Sequence, residues 1–88
     1  MGNLYLINKE YGENGLKLAE YDGEAVVVLI QDGVYIDPAL YPNKAKIYAI
    51  KQDVQKRGLN DRLHKRVECI DYSQLVDLIV ENKVINFA

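Results

Sequence analysis

The single cysteine, Cys69, is the first residue in this chain that could do chemistry. A thiolate can act as a nucleophile or carry a sulfur atom, provided that something nearby lowers its pKa. In Val67-Glu68-Cys69-Ile70 no neighbour in sequence supplies that influence, and free cysteine is among the most buried residue types. Cys69 is therefore expected to be a structural thiol in a core strand, on the same face as Val67. His64 lies between Leu63 and Lys65 in a basic loop and reads as a solvated histidine. Asp32 and Asp37 stand on either side of a turn, with Pro38 just beyond, and nothing in their spacing makes them converge as an acid–base pair. Gly33 and Gly58 are isolated glycines, which excludes a phosphate loop. One cysteine and one histidine exclude an internal disulfide and make a structural zinc site improbable. No metal and no cofactor is expected, and the chain reads as not catalytic on its own, with Cys69 the remaining candidate.

The elements that must position these residues are organised around Glu24 to Ile36. Ala25 to Ile30 is an unbroken apolar run, too short for a membrane helix and rich in β-branched residues. It predicts a strand buried on both faces, as in a parallel sheet covered by helices. Gln31-Asp32-Gly33 then stops the run at its carboxyl end, the edge where open α/β sheets tend to place binding sites. Asp32 is expected to cap the next helix, and Gly33 to take a backbone angle that other residues resist.

Around this strand, Asn3 to Ile7 reads as a first strand, Asn8 to Gly15 as a loop and Leu16 to Tyr21 as a short helix. Val34 to Leu40 gives at most two helical turns, broken at Tyr41-Pro42-Asn43. Ala45 to Ile50 is a third strand and Gln52 to Arg57 a short helix closed by Gly58. Val67 to Ile70 is a fourth strand. Asp71 or Ser73 then caps a helix in which Tyr72, Leu75, Val76, Ile79 and Val80 recur at helical spacing, with Asp77 and Glu81 outside. Val84 to Phe87 is a last short strand. This alternation predicts a three-layer α/β/α sandwich with a mainly parallel sheet of about five short strands, residues 1–88 forming one domain.

Composition adds two expectations. At 88 residues a fold is thinly stabilised, yet 49% of the chain is hydrophobic, so some apolar surface is expected to enter an interface between subunits. Charge is uneven: eight of the eleven basic residues fall between Lys44 and Arg66, where the acids are Asp53 and Asp61. Lys51, Lys56, Arg57, Arg62, Lys65 and Arg66 could form a face that meets RNA or an acidic protein, against the plainer reading of a solvated face. Tyr35, Tyr41, Tyr48 and Tyr72 sit near predicted element ends, where tyrosine serves an interface or lines the margin of a core. Neither a secretory leader nor the myristoylation pattern fits the start Met-Gly-Asn-Leu-Tyr-Leu. The expected setting is cytoplasmic, without a membrane.

Three segments in order carry a resemblance. They are Val28-Leu29-Ile30-Gln31-Asp32-Gly33-Val34-Tyr35; then Ile47-Tyr48-Ala49-Ile50 with Asp53 and Lys56-Arg57-Gly58-Leu59; then Ile70-Asp71-Tyr72 with Leu75-Val76-Asp77-Leu78. Together they resemble the DsrH/TusB family of small sulfur-relay subunits. The resemblance implies the DsrE-like fold and assembly with TusC-like and TusD-like (DsrF-like and DsrE-like) subunits. It further implies transfer of persulfide sulfur from TusA through TusE towards 2-thiouridine at the tRNA wobble position, with only an indirect link to tRNA. Some small family members look like homodimers instead. Sulfur-oxidising members carry a cysteine in the first helix; here that helix has none, and Lys17 lies near the place. On this reading the chain is a non-catalytic relay subunit in which Gln31, Asp32, Gly33 and Tyr35 support an interface or the rim of a neighbour's thiol site. Two alternatives remain: a sulfur carrier using Cys69 in sulfur oxidation, and a homo-oligomeric binding module whose basic face contacts RNA.

Overall fold

The computed structural model describes residues 2–59 and 61–87. Five short strands, β1 (Asn3–Ile7), β2 (Ala25–Leu29), β3 (Lys46–Ile50), β4 (Val67–Ile70) and β5 (Lys83–Phe87), form one sheet in the order β4-β3-β2-β1-β5. Every pairing is parallel, including that of β5 with β1. Helices α1 (Lys9–Glu20), α2 (Lys51–Lys56) and α3 (Tyr72–Glu81) join them, with two 3-10 turns, Gln31–Tyr35 and Pro38–Leu40, between β2 and β3.

Chain direction explains the layers. The steps β1 to β2 to β3 to β4 all run the same way across the sheet, so right-handed crossovers put α1, the 3-10 turns and α2 on one face. The step from β4 back to β5 runs the other way and places α3 alone on the opposite face. Side chains alternate accordingly. Tyr5, Ile7, Val27, Leu29, Ile47 and Ala49 pack against Leu16, Ala19, Val34, Ile36 and Val54 on the first face. Leu4, Val28, Ile50 and Ile70 meet Leu75 and Leu78 on the second. No helix among the described residues is long and apolar enough to cross a membrane.

Two helices depart from what the sequence predicts. α1 begins at Lys9, not Leu16, capped by Asn8, whose side chain accepts a hydrogen bond from Lys9 N at 2.7 Å. Gly12 and Gly15 are therefore helical and buried, and they let α1 lie close to the sheet. A Cβ on Gly15 would stand 2.5 Å from Ile7 Cδ1 and 2.8 Å from the Phe87 ring. The second departure concerns α3. Of the two caps the sequence offers, Asp71 serves, in a capping box with Asp71 accepting from Gln74 N at 2.8 Å and Gln74 accepting from Asp71 N at 3.0 Å. Its apolar stripe is not one inner stripe, however. Leu75 and Leu78 face the sheet, whereas Tyr72, Val76, Ile79 and Val80 are exposed.

A polar knot closes the amino edge of the sheet. Asp22 accepts from Asn3 Nδ2 at 2.7 Å, Glu24 N at 2.9 Å and the Tyr5 hydroxyl at 3.0 Å. These bonds, that from Asn3 foremost, hold the Asp22 carboxyl below its ordinary pKa. Burial, reinforced by the bond to Asp22, raises that of Tyr5.

Candidate functional site at the carboxyl edge of the sheet

The Gln31–Tyr35 turn sits where β1, β2 and β3 end. As β2 leaves the sheet, Ile30 N donates to the Ile7 carbonyl at 3.0 Å and Gly33 N donates to the Ile30 carbonyl at 2.8 Å. The turn starts at Ile30 with no side-chain cap, so Asp32 is not the cap that its position predicts. The left-handed residue is also not the expected one. Gln31 has φ 50°, a region that costs a non-glycine residue about 1 kcal/mol. Gly33 is required for a different reason: a Cβ there would collide with the Ile7 carbonyl oxygen.

Hydrogen bonds from α2 and from the cap of α1 hold Gln31 in that conformation. Its N–H donates to Asp53 Oδ2 at 2.7 Å, and its Oε1 accepts from Asn8 Nδ2 at 2.8 Å. Asp53 in turn pairs with Arg57 one helical turn on, at 3.6 Å. The guanidinium also donates through Nη1 to the Asp53 carbonyl at 3.1 Å and through Nε to Asp32 Oδ1 at 3.0 Å. Arg57 and Asp53 are mostly shielded, with 17% and 15% of their side chains exposed, while Asp32 is 60% exposed. The Arg57–Asp53 pair therefore carries more weight than the outer Asp32 contact. Of the residues in this frame, Asn8 is not singled out by the sequence, and Asp53 stands out only as part of a family-like segment. Asn8 carries an N-cap signal, hidden because two following glycines read as a loop; Asp53 is acidic in a basic run and lies in a segment that carries the resemblance, but neither feature shows that it bonds Gln31.

A cleft of about 200 Å³ lies on one side of this frame, lined by Leu6, Ile30, Gln31, Ile50, Asp53, Tyr72 and Leu75. On the other side Tyr35, 49% exposed, borders a second cleft of about 180 Å³ with Tyr41, Arg62 and His64. Both are smaller than the roughly 300–1,000 Å³ of typical small-molecule sites. They suit a side chain or loop of a neighbouring chain better than a free substrate. The turn itself offers amide, carboxylate and phenol groups held in fixed positions, and no nucleophile.

The other candidates lie elsewhere. Cys69 is exposed, which corrects the expectation of a buried thiol: β4 is an edge strand, so its side chain is not sealed between layers. His64 is half-buried, not a freely solvated side chain. Its ring meets Tyr41 edge-on at 6.0 Å, and Nδ1 accepts from Arg66 N at 3.2 Å. Burial raises the Tyr41 pKa. Asp37 caps the second 3-10 turn through Ala39 N at 2.9 Å, a task separate from that of Asp32.

The six basic residues are not all available. Arg57 is held in the turn network, and Arg66 Nη2 donates to the carbonyls of Pro42 at 2.6 Å and Ala45 at 3.0 Å. Lys51, Lys56, Arg62 and Lys65 are exposed. Lys51 and Lys56 lie on α2, next to the turn, whereas Lys65 borders an open cavity of about 690 Å³ with Lys44 and Lys46 at the amino ends of β3 and β4. Among the described residues, no group of three His, Cys, Asp or Glu side chains could hold a metal ion.

Comparison with known proteins gives a consistent answer. The sequence profile described as DsrH-like protein matches residues 14–85. A protein named TusB from Photorhabdus laumondii is 38% identical over 64 residues, which is 64% of this chain and 66% of that protein. TusB of Buchnera aphidicola is 34% identical over 59 residues, covering 67% of this chain and 61% of that one. The similarity thus spans a little under two thirds of these relatives' length. Among solved structures, protein Tm0979 from Thermotoga maritima has a TM-score of 0.65 at 34% identity, covering 90% of this chain and 92% of its own. The ychN protein from E. coli has a TM-score of 0.80 at 17% identity, covering 99% of both chains, and shows the shared fold.

Proposed function

The chain belongs to the DsrH family, and on that premise we propose that it is a non-catalytic subunit of a cytoplasmic sulfur-relay complex. It acts as one domain of residues 1–88, assembles with TusC-like and TusD-like subunits, and supports persulfide transfer for 2-thiouridine formation at the tRNA wobble position. The TusB names of its relatives favour this branch of the family. The observation that carries the reading is the carboxyl-edge turn. A relay step needs a thiolate to attack the outer sulfur of a donor persulfide, leaving the donor thiol behind and a new persulfide on the acceptor. The Gln31–Tyr35 frame holds donors and acceptors rigidly beside side-chain-sized clefts and contains no thiol. In α1 the position near which sulfur-oxidising members carry cysteine is Lys17, ion-paired to Glu13 at 3.6 Å. Both features suit a subunit that shapes a neighbour's site.

Mass in solution tests this reading. Light scattering after size exclusion, on the chain alone and mixed with its TusC-like and TusD-like counterparts, should show a mixed oligomer. A chain that ignores both counterparts would contradict it. The exposure of Cys69 supports a second reading, in which this thiol itself carries sulfur. Thiol labelling does not separate the two readings, because an exposed cysteine reacts under either; substitution of Cys69 does.

A further inference from the structure

The face covered by α3 is unfinished. Five strands about 4.8 Å apart make a sheet roughly 19 Å across, and a helix with its side chains is about 10–12 Å wide. α3 therefore seals Leu4, Val28, Ile50 and Ile70 beneath it but leaves Leu6, Val26, Ile30 and Tyr48 only half-buried. Its own outer surface is apolar as well. Tyr72, Val76, Ile79 and Val80, at i, i+4, i+7 and i+8, are 53%, 56%, 39% and 78% exposed, and Val84 on β5 is 39% exposed. Contiguous apolar surface of this kind marks a contact with another protein.

Charge indicates which kind of protein. Glu68 and Asp77 line a groove of about 190 Å³ between α3 and β4, with Tyr48, Ile70 and Leu78. Asp71 and Glu81 lie at the two ends of α3, and all four carboxylates are on exposed residues. α3 contains no basic residue, and the strands contribute only Lys46 to this face. Two copies meeting here about a twofold axis would set four carboxylates against four, a juxtaposition that specific interfaces avoid.

We propose that this face is the docking surface for a different subunit, one that presents an apolar patch bordered by lysine or arginine. The partner's apolar surface covers Tyr72, Val76, Ile79 and Val80, and its basic side chains reach the groove at Glu68 and Asp77. The inference rests on the relay-subunit reading and adds the surface and the chemistry of the partner.

The test titrates the chain against the TusC-like and TusD-like subunits of the same source, singly and together. Val80→Glu and Asp77→Lys should each weaken assembly at least about tenfold, with unchanged circular dichroism and melting temperature because both residues are exposed. Asp77→Asn should weaken it less than Asp77→Lys, and added salt should weaken the parent complex. A complex that forms and tolerates both Val80→Glu and Asp77→Lys overturns this inference while leaving the relay-subunit reading intact. Failure of the parent chain to join either subunit overturns both. A dimer of the chain alone that Val80→Glu dissociates would assign the face to a second copy and overturn the inference.

Discussion

On the face under α1, the 3-10 turns and α2, large side chains pack to closure: Ile7, Leu16, Val27, Leu29 and Val54 are at most 1% exposed, and Gly12 and Gly15 let a helix settle onto the sheet. On the face under α3 the same sheet meets one helix that is too narrow for it, with Leu75 and Leu78 turned inwards and Tyr72, Val76, Ile79 and Val80 exposed. Among the described residues the first face holds a cluster of thirteen buried apolar residues, and the second a cluster of four, Leu4, Val28, Ile50 and Ile70. An 88-residue chain has little apolar area to spare, so leaving Val80 78% exposed is a cost that burial against another surface would offset. On the proposed reading, stability and assembly fall to opposite sides of one sheet, with the carboxyl-edge turn between them.

Substitutions can break that contrast or sharpen it. The largest expected effect is at Gly33, where a new Cβ meets backbone and not a movable side chain. Gly33→Ala should cost about 3 kcal/mol in urea unfolding, a large share of the roughly 4–13 kcal/mol expected of a domain this size. Gly15→Ala meets the Ile7 and Phe87 side chains instead and regains some helix propensity, so about 1–2 kcal/mol is expected. The exposed α3 residues should show the reverse pattern, assembly lost with stability held within about 0.5 kcal/mol. A neutral Gly33→Ala would contradict the closed-face account.

A smaller effect is expected from acid. The Asp22 carboxyl has its folded pKa held below the ordinary 3.8, so its contribution to stability is complete above that value. The contribution is lost as pH falls through the lowered folded value. Asp22→Asn should therefore be less stable than the parent near neutrality and show a flatter loss of stability below about pH 4. Urea midpoints measured across that range check this; parallel curves for parent and variant would contradict it.

Much of the fold was legible in the residues, and what was missed follows from one cause. β1 and β4 fall where their apolar runs place them, and Asp71, one of two caps that the start of the periodic helix allows, caps α3. These are local signals. Gly12 and Gly15 carry the local signature of a loop, yet their role is set by Ile7, Ile36 and Phe87, which approach from distant parts of the chain. Cys69 reads as buried because Val67-Glu68-Cys69-Ile70 resembles other core strands; that β4 lies at the edge depends on strand order, which no local pattern encodes. The outward stripe of α3 has the same periodicity as an inward one. At the carboxyl edge, Gln31, Asp32, Gly33 and Tyr35 stood out by type and position, but Asn8, Asp53 and Arg57 join them only through tertiary hydrogen bonds.

The central claim is that this subunit shapes a relay site without carrying the sulfur itself. The most direct test is persulfide transfer through the assembled complex containing Cys69→Ser in this chain, measured as sulfur delivered to the acceptor protein. The account predicts transfer at the parent rate, because the acceptor thiol belongs to another subunit. Loss of transfer from a complex that still assembles would show that Cys69 carries the sulfur, and would contradict the account.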